Sequence, residues 1–93
     1  MGGKKTKGAR TDRGKRYAFY FIEPKKNLNS DAFARKLMGN RRVHEVYITE
    51  GACGFVVKAG VKDGERESPI PSNMLAAPCR KVGLAISRYA YRR

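Results

Sequence analysis

The chain has 93 residues, a length typical of one domain with a thin hydrophobic core. It carries 21 Lys and Arg against 8 Asp and Glu, and the formal net charge of +13 favours a polyanionic partner. No apolar run is long enough to span a membrane, and no apolar segment follows the basic start as in a secretory signal, so we expect a cytoplasmic protein with no membrane partner. Two cysteines, Cys53 and Cys79, are too few for a disulfide framework.

The positive charge lies mainly at the two ends of the sequence. Residues 1–16 carry seven basic side chains and one acid, Asp12, whereas residues 79–93 carry five basic side chains and no acid. After Met1, residues 1–16 contain no large apolar side chain, so burial cannot offset the entropy lost on ordering them. The sequence therefore predicts a disordered basic arm over residues 1–16 and a single folded domain over residues 17–93.

A strand and then a helix open the predicted domain. Residues 17–22 are rich in aromatic side chains and apolar on both alternating faces, which is typical of a central strand covered on both sides. The strand ends at Pro24, and Asn29 is a good N-cap for the helix that follows. The apolar stripe of this helix consists of Phe33, Ala34, Leu37 and Met38. Gly39 marks the end of the helix.

The second half of the domain begins with a predicted hairpin. Its strands are residues 43–49 and 54–59, joined by a tight turn that contains Gly51. Strict alternation in the first strand places His44 on the same face as Val46. This face also contains aliphatic Ile48, whereas the other face contains Glu45, Tyr47 and Thr49.

A polar loop, a short helical turn and a last strand complete the chain. The loop covers residues 60–72, the helical turn begins at Ser72 and stops before Pro78, and the strand covers residues 82–91. The order is strand, helix, strand, strand, short helix, strand. It predicts an α+β, ferredoxin-like fold, in which a four-stranded antiparallel sheet carries both helices on one face.

Residues 17–59 resemble the first half of the effector (regulation of amino-acid metabolism) domain of the Lrp/AsnC transcription regulators. The resemblance rests on the aromatic strand at 17–22, the helix with Phe33 and Leu37, and the hairpin run from 43 to 58. It implies a ferredoxin-like fold and a tendency to dimerise through the sheet. The helix-turn-helix of that family has no counterpart in residues 1–16, and the resemblance assigns no ligand residues to this chain.

The sequence contains no pattern typical of a catalytic or metal site. His44 is the only histidine, and together with Cys53 and Cys79 it lacks the spacing of metal ligands. No pair of carboxylates lies in a setting that would tune their acidities for catalysis. We therefore expect a protein that is not an enzyme and that binds no metal or cofactor.

The basic ends indicate nucleic-acid binding, because Lys and Arg neutralise phosphates and release condensed counterions. The candidate binding residues are Lys4, Lys5, Lys7, Arg10, Arg13, Lys15, Arg16, Arg41, Arg42, Arg88, Tyr89, Tyr91, Arg92 and Arg93. Near the C-terminus cations alternate with Tyr89 and Tyr91, whose rings either stack on unpaired bases or pack within the protein. Arg41 and Arg42 follow the helix and either extend the basic surface or cap the helix.

These features lead to one main prediction and two alternatives. The main prediction is a small nucleic-acid-binding protein, with RNA favoured over DNA because the ends resemble the extensions of ribosomal proteins in composition. The first alternative is a stand-alone, homodimeric effector-type domain that binds a small molecule or a regulator partner. The second is a protein held on an anionic membrane surface by the same charge.

Overall fold

The computed structural model of the chain describes residues 10–12, 16–62 and 68–92. In these residues the elements follow the order two strands, helix, two strands, helix, two strands. The strands are β1 (Arg10–Asp12), β2 (Arg16–Pro24), β3 (Val43–Ile48), β4 (Phe55–Val61), β5 (Cys79–Ile86) and β6 (Ala90–Arg92). The helices are α1 (Ser30–Met38) and α2 (Ser72–Ala76). Neither of these two helices is long and apolar enough to cross a membrane.

The main sheet has four antiparallel strands in the order β3-β4-β2-β5. The two central strands are β2 and β4, while β3 and β5 form the edges. Each helix connects a central strand to an edge strand. This arrangement confirms the predicted α+β, ferredoxin-like fold with a short second helix.

The hydrophobic core lies between one face of the sheet and the two helices. β2 contributes Ala18, Tyr20 and Ile22 to this core, which are at most 1% exposed. The remaining core residues are Phe33, Leu37, Val43, Phe55, Val57, Ala59, Ile70, Leu75 and Cys79. Since the helices contribute to the same cluster as the strands, they cover the same face of the sheet.

Helix α1 begins and ends where the sequence predicts. The side chain of Asn29 accepts a hydrogen bond of 2.9 Å from the amide of Ala32, which satisfies one of the free amides of the first turn. Phe33 and Leu37 are buried, and the ring of Phe33 meets that of Phe55 edge to face at 5.2 Å. Met38 belongs to the predicted apolar stripe but is 48% exposed.

The segment before α2 is attached to the core through the hydroxyl of Tyr20. This buried hydroxyl accepts a hydrogen bond of 3.0 Å from the amide of Ile70 and is hydrogen-bonded to the hydroxyl of Ser68. Ser68 in turn donates a bond of 2.9 Å to the carbonyl of Ile70. A central strand and the loop before α2 are therefore joined by polar contacts inside an apolar core.

The prediction for the faces of β3 is wrong at His44. The pairing of β3 with β4 shifts register between Val43 and Glu45, so one extra residue lies in β3. This bulge places the His44 ring against Tyr17, on the face of the sheet opposite the helices. Gly60 leaves the room for it, since a Cβ atom there would lie 3.2 Å from His44 Nε2.

The two ends of the chain also differ from the prediction. Arg10–Asp12 form strand β1, and Arg16 already belongs to β2, so the predicted disorder is wrong for these residues. The rest of the predicted arm lies outside the described residues. The last strand begins earlier than predicted, at Cys79, and is interrupted over residues 87–89 before β6. Long-range pairing decides both differences, because β1 pairs with β6 and β5 pairs with β2.

Candidate nucleic-acid interface

Basic side chains collect at one end of the four-stranded sheet. At this end β2 and β3 begin, while β4 and β5 finish, because neighbouring strands are antiparallel. The cations found there are Arg16, Arg41, Arg42, Lys62 and Arg88. This end is formed by four described stretches whose sequences contain no Asp or Glu: 16–17, 41–44, 60–62 and 86–88. We call this region the basic end.

Ser87 holds two segments of the basic end together. Its amide donates to the carbonyl of Tyr17, and its hydroxyl accepts from the amide of Tyr17, both at 2.8 Å. Arg16 Nε also donates to the carbonyl of Ser87, at 3.2 Å. The start of β2 and the end of β5 are therefore tied, which keeps Arg16 close to Arg88 even though 71 residues separate Arg16 from Ser87.

Arg41 and Arg42 play different parts at the basic end. Arg42 Nη2 donates to the carbonyl of Gly60 at 3.1 Å, and the Gly60 amide donates to the carbonyl of Arg42 at 2.8 Å. Arg42 is half-buried and joins β3 to β4, whereas Arg41 is exposed to solvent. Both arginines thus contribute charge at this end, and Arg42 also links the segment before β3 to β4.

A two-stranded β-ribbon leaves the sheet at the basic end. It pairs β1 with β6 in antiparallel register, with Arg10 opposite Arg92 and Thr11 opposite Tyr91. Three residues connect β1 to β2 and three connect β5 to β6, so both ribbon strands emerge from the same end of neighbouring sheet strands. We call the β1–β6 pair the ribbon.

Tyr89 and Tyr91 lie beside or within the ribbon and not on the four-stranded sheet. Their rings meet edge to face at 5.8 Å with an interplanar angle of 79°. Tyr91 is nevertheless 71% exposed. The two rings therefore pack against each other within the protein, and Tyr91 still presents most of its surface to solvent, where a base could contact it.

The face of the sheet opposite the helices carries aromatic side chains that sequence reasoning did not identify as a site. Tyr17, Phe19 and Phe21 alternate along β2 with its buried residues and so share this face. Phe21 is 44% exposed, which corrects the prediction that β2 is covered on both sides. No helix covers this face in the described part of the chain. The available signal was the period-two repeat of rings, which indicates one face of a strand. We call this surface the open face.

A cation lies among the rings of the open face. Lys58 Nζ is 4.3 Å from the centroid of the Tyr17 ring, a cation–π distance. His44 contacts the same ring edge to face at 5.6 Å. In the β2–β4 register Lys58 lies opposite Phe19, and its side chain reaches along the open face to the Tyr17 ring.

Glu45 supplies a carboxylate at the margin of the open face. In the β3–β4 register it lies opposite Lys58. A hydrogen bond with Glu45, and then its negative charge, raise the pKa of Tyr47 above its usual value. Tyr47 is 51% exposed beside the aromatic row of β2.

An apolar groove lies on the other side of the sheet, between α2 and β5. Its volume is about 340 Å³. It is lined by Tyr20, Ser68, Ile70, Ser72, Leu75, Ala76, Cys79, Val82 and Leu84. This size falls at the lower end of the range of small-molecule sites. Among the described residues no three His, Cys, Asp or Glu side chains are grouped to hold a metal ion.

The structure thus brings together part of the predicted site. Arg16, Arg41, Arg42 and Arg88 meet at the basic end, and the backbones of Arg10 and Arg92 pair in the ribbon. The other predicted cations lie outside the described residues: Lys4, Lys5, Lys7, Arg13, Lys15 and Arg93. Lys58 and Lys62 join the basic surface although the sequence did not single them out.

Comparison of the chain with protein-family models, with curated proteins and with solved structures found no significant match. The resemblance of residues 17–59 to the Lrp/AsnC effector domain therefore stays a prediction from the sequence.

Proposed function

We propose that this protein binds nucleic acid in the cytoplasm, without catalysing a reaction, through phosphate contacts at the basic end and along the ribbon. The observation that supports the proposal is the collection of five cations at one end of the sheet from separate parts of the chain. Bringing like charges together at one end of the sheet costs free energy through repulsion. A polyanion relieves that repulsion.

The shape of the interface suits a polyanionic double or single strand. Arg and Lys side chains bind phosphates without reading sequence, and release of counterions supplies the affinity. The ribbon is a two-stranded element of the kind that the major groove of B-form DNA admits. The basic end lies at its base, so phosphates on either side of an inserted ribbon would meet Arg16, Arg41 and Arg88.

RNA is the favoured nucleic acid. The basic ends of the chain resemble the extensions of ribosomal proteins in composition, and RNA presents unpaired bases in loops and bulges. The rings of Tyr91 and Phe21 are exposed, and unpaired bases stack on exposed aromatic side chains.

Fluorescence anisotropy across a salt series tests the proposal directly. We expect binding to single-stranded RNA, structured RNA and duplex DNA, with the order of affinities deciding between RNA and DNA. A log–log salt slope near −5 or steeper would correspond to about six or more phosphates. Absence of binding to all three at about 50 mM salt, where phosphate contacts are strong, would contradict the proposal.

A pair of double variants locates the interface. Arg41→Gln with Arg88→Gln removes two charges at the basic end, whereas Lys25→Gln with Lys26→Gln removes two exposed charges at the opposite end of the sheet. We expect the first variant to flatten the salt slope by about 2 and the second to leave it nearly unchanged. Equal effects of the two variants would mean that net charge alone, and not the basic end, determines binding.

A second candidate function is a homodimeric effector-type domain that binds a small molecule or a regulator partner. The groove of about 340 Å³ beside α2 favours this candidate, because Val82 and Leu84 leave apolar surface exposed there. A thermal-shift screen of small apolar molecules tests it, together with sedimentation equilibrium. A monomer whose melting temperature no compound raises would exclude this candidate.

A further inference from the structure

We infer that the open face binds single-stranded RNA, one of whose unpaired bases stacks on the exposed ring of Phe21. This inference rests on the proposed nucleic-acid function and identifies the class of substrate. It concerns a surface separate from the phosphate contacts of the basic end.

The three rings form a continuous row. They occupy alternate positions of β2, so they project to the same side with a spacing of about 6.8 Å. On the neighbouring edge strand, Phe19 lies opposite Ala85 and Phe21 lies opposite Gly83. Because these β5 residues are small, they leave one side of the aromatic row uncovered. A Cβ atom at position 83 would lie 3.8 Å from Phe21 Cβ, so the glycine side of the row is shallow and open.

The net charge of the chain and the nearby basic end favour a nucleic acid over a second copy of the chain. The row carries Glu23 at one end and has Glu45 beside Lys58, but its other end leads directly into the basic end at Arg16. A strand whose phosphates contact the basic end can therefore continue along β2 and place an unpaired base over Phe21. A second copy on the same face would instead approach with the same charge of +13.

The exposure of Phe21 favours single strands over duplexes. A base can stack on this ring only when one of its own faces is free. Bases inside a duplex are paired and stacked, so they do not reach the ring, whereas RNA loops and single strands present unpaired bases.

The test replaces Phe21 and measures two kinds of RNA. Phe21→Ala removes the most exposed ring of the row, and Phe21→Leu keeps an apolar side chain without the aromatic ring. Leu84→Ala is the matched control, because Leu84 is 45% exposed against 44% for Phe21 but belongs to the helix side of the same sheet. Anisotropy is measured with a single-stranded uridine oligonucleotide and with an RNA duplex, and far-ultraviolet circular dichroism checks that each variant is folded.

The expected result is a selective loss. Phe21→Ala should weaken binding to the single strand by about fivefold or more, the scale of one lost base–aromatic stack. The salt slope should stay the same, because no phosphate contact is removed. Phe21→Leu should show most of the same loss, whereas Leu84→Ala and all binding to the duplex should be close to wild type.

Other results would overturn the inference, and they are distinguishable from failure of the proposed function. Wild-type binding to both RNAs that neither Phe21 variant changes would overturn the stacking site and leave the proposed function intact. A wild-type dimer that Phe21→Ala converts to a monomer would assign the open face to a second copy. No wild-type binding to either RNA would instead contradict the proposed function itself.

Discussion

One polar atom in the core of this small domain, the hydroxyl of Tyr20, binds the segment before α2. Tyr20 is 1% exposed, and its hydroxyl is the acceptor for the amide of Ile70. None of the buried side-chain nitrogen or oxygen atoms in the described residues lacks a hydrogen-bond partner. Removal of one such partner leaves another buried group unsatisfied, which costs more than the hydrogen bond itself contributes.

We expect Tyr20→Phe to lower the free energy of unfolding by about 1–3 kcal/mol, because the Ile70 amide loses its acceptor inside the core. Urea denaturation followed by circular dichroism measures this change. Tyr91→Phe is the control, since Tyr91 is 71% exposed, and it should change stability little. Equal effects of the two substitutions would contradict the role assigned to the Tyr20 hydroxyl.

The two cysteines differ in their surroundings. Cys79 is 7% exposed in the core, whereas Cys53 is half-buried. Burial raises the pKa of the Cys79 thiol, and the positive charge of Lys25 opposes this effect only in part. Because the thiolate is the reactive form, Cys79 should be the less reactive cysteine.

We expect iodoacetamide to modify Cys53 faster than Cys79 in the native protein, and both at similar rates in concentrated urea. Mass spectrometry that shows equal rates in the native protein would contradict the assignment.

The raised pKa of Cys79 also predicts a pH dependence of stability. The neutral thiol is favoured in the folded state, so its contribution is complete below the unfolded pKa of about 8.5 and is lost as the pH rises through the folded value. Cys79→Ala should therefore reduce the loss of unfolding free energy above that pH.

At the scale of elements, the ribbon connects the two ends of the chain. The β1–β6 pair holds β6 in an ordered strand beside Arg88. Ordering of a binding segment before it meets its partner lowers the entropy cost of binding. The effect of strand pairing in the ribbon on binding can therefore be separated from the effect of the ribbon's charge.

Two truncations separate strand pairing from charge. Removal of residues 1–9 deletes three lysines, and removal of residues 1–12 additionally deletes Arg10 and Asp12, whose charges cancel. We expect the longer truncation to weaken RNA binding by about a further fivefold, because β6 loses its partner strand. Anisotropy titrations of both truncated proteins measure the difference. Identical affinities would mean that only the charge of this segment contributes.

At the scale of the whole molecule, the charge is polarised along the sheet. The basic end has cations without carboxylates in the stretches that form it, whereas at the opposite end Arg80 lies 3.5 Å from the carboxylate of Glu23. Like charges at the basic end oppose folding of the free protein, and salt screens that repulsion. The charge of this surface should therefore cost stability at low salt.

We expect Arg41→Gln with Arg88→Gln to stabilise the free protein at low salt while it weakens nucleic-acid binding. The gain should be about 0.5 kcal/mol, the usual scale of exposed charge pairs, and should disappear near 1 M sodium chloride. Denaturation at several salt concentrations measures it. Lys25→Gln with Lys26→Gln should keep the salt response of the wild type, and a double Arg variant that is less stable at low salt would contradict this account.

Much of the fold is predictable because its signals are local. The N-cap at Asn29, the burial of Phe33 and Leu37, and the hairpin around Gly51 all depend on residues within a few positions of one another. Gly51 has a φ of +105°, a left-handed conformation that glycine adopts without strain. The order of these elements was sufficient to predict the ferredoxin-like arrangement.

Parts of the candidate site were not predictable, because they depend on contacts between distant segments and not on local signals. Alternation along residues 43–49 is broken by the bulge in β3, whose position depends on pairing with β4. The aromatic repeat of β2 was visible, but apolar residues on both faces are equally compatible with two covered faces. Which face stays open depends on where the helices pack.

The sequence by itself therefore determined the order of the four sheet strands and the two helices, the caps of α1, and the concentration of positive charge at the two ends. Only the tertiary structure decided that Arg16, Arg41 and Arg88 meet at one end of the sheet, that Arg10–Asp12 pair with Ala90–Arg92, and that one aromatic face of β2 is uncovered. The physical reason is the range of the interactions. Caps and periodicity act over single turns, whereas these pairings join residues that are far apart in the chain and depend on how the whole core closes.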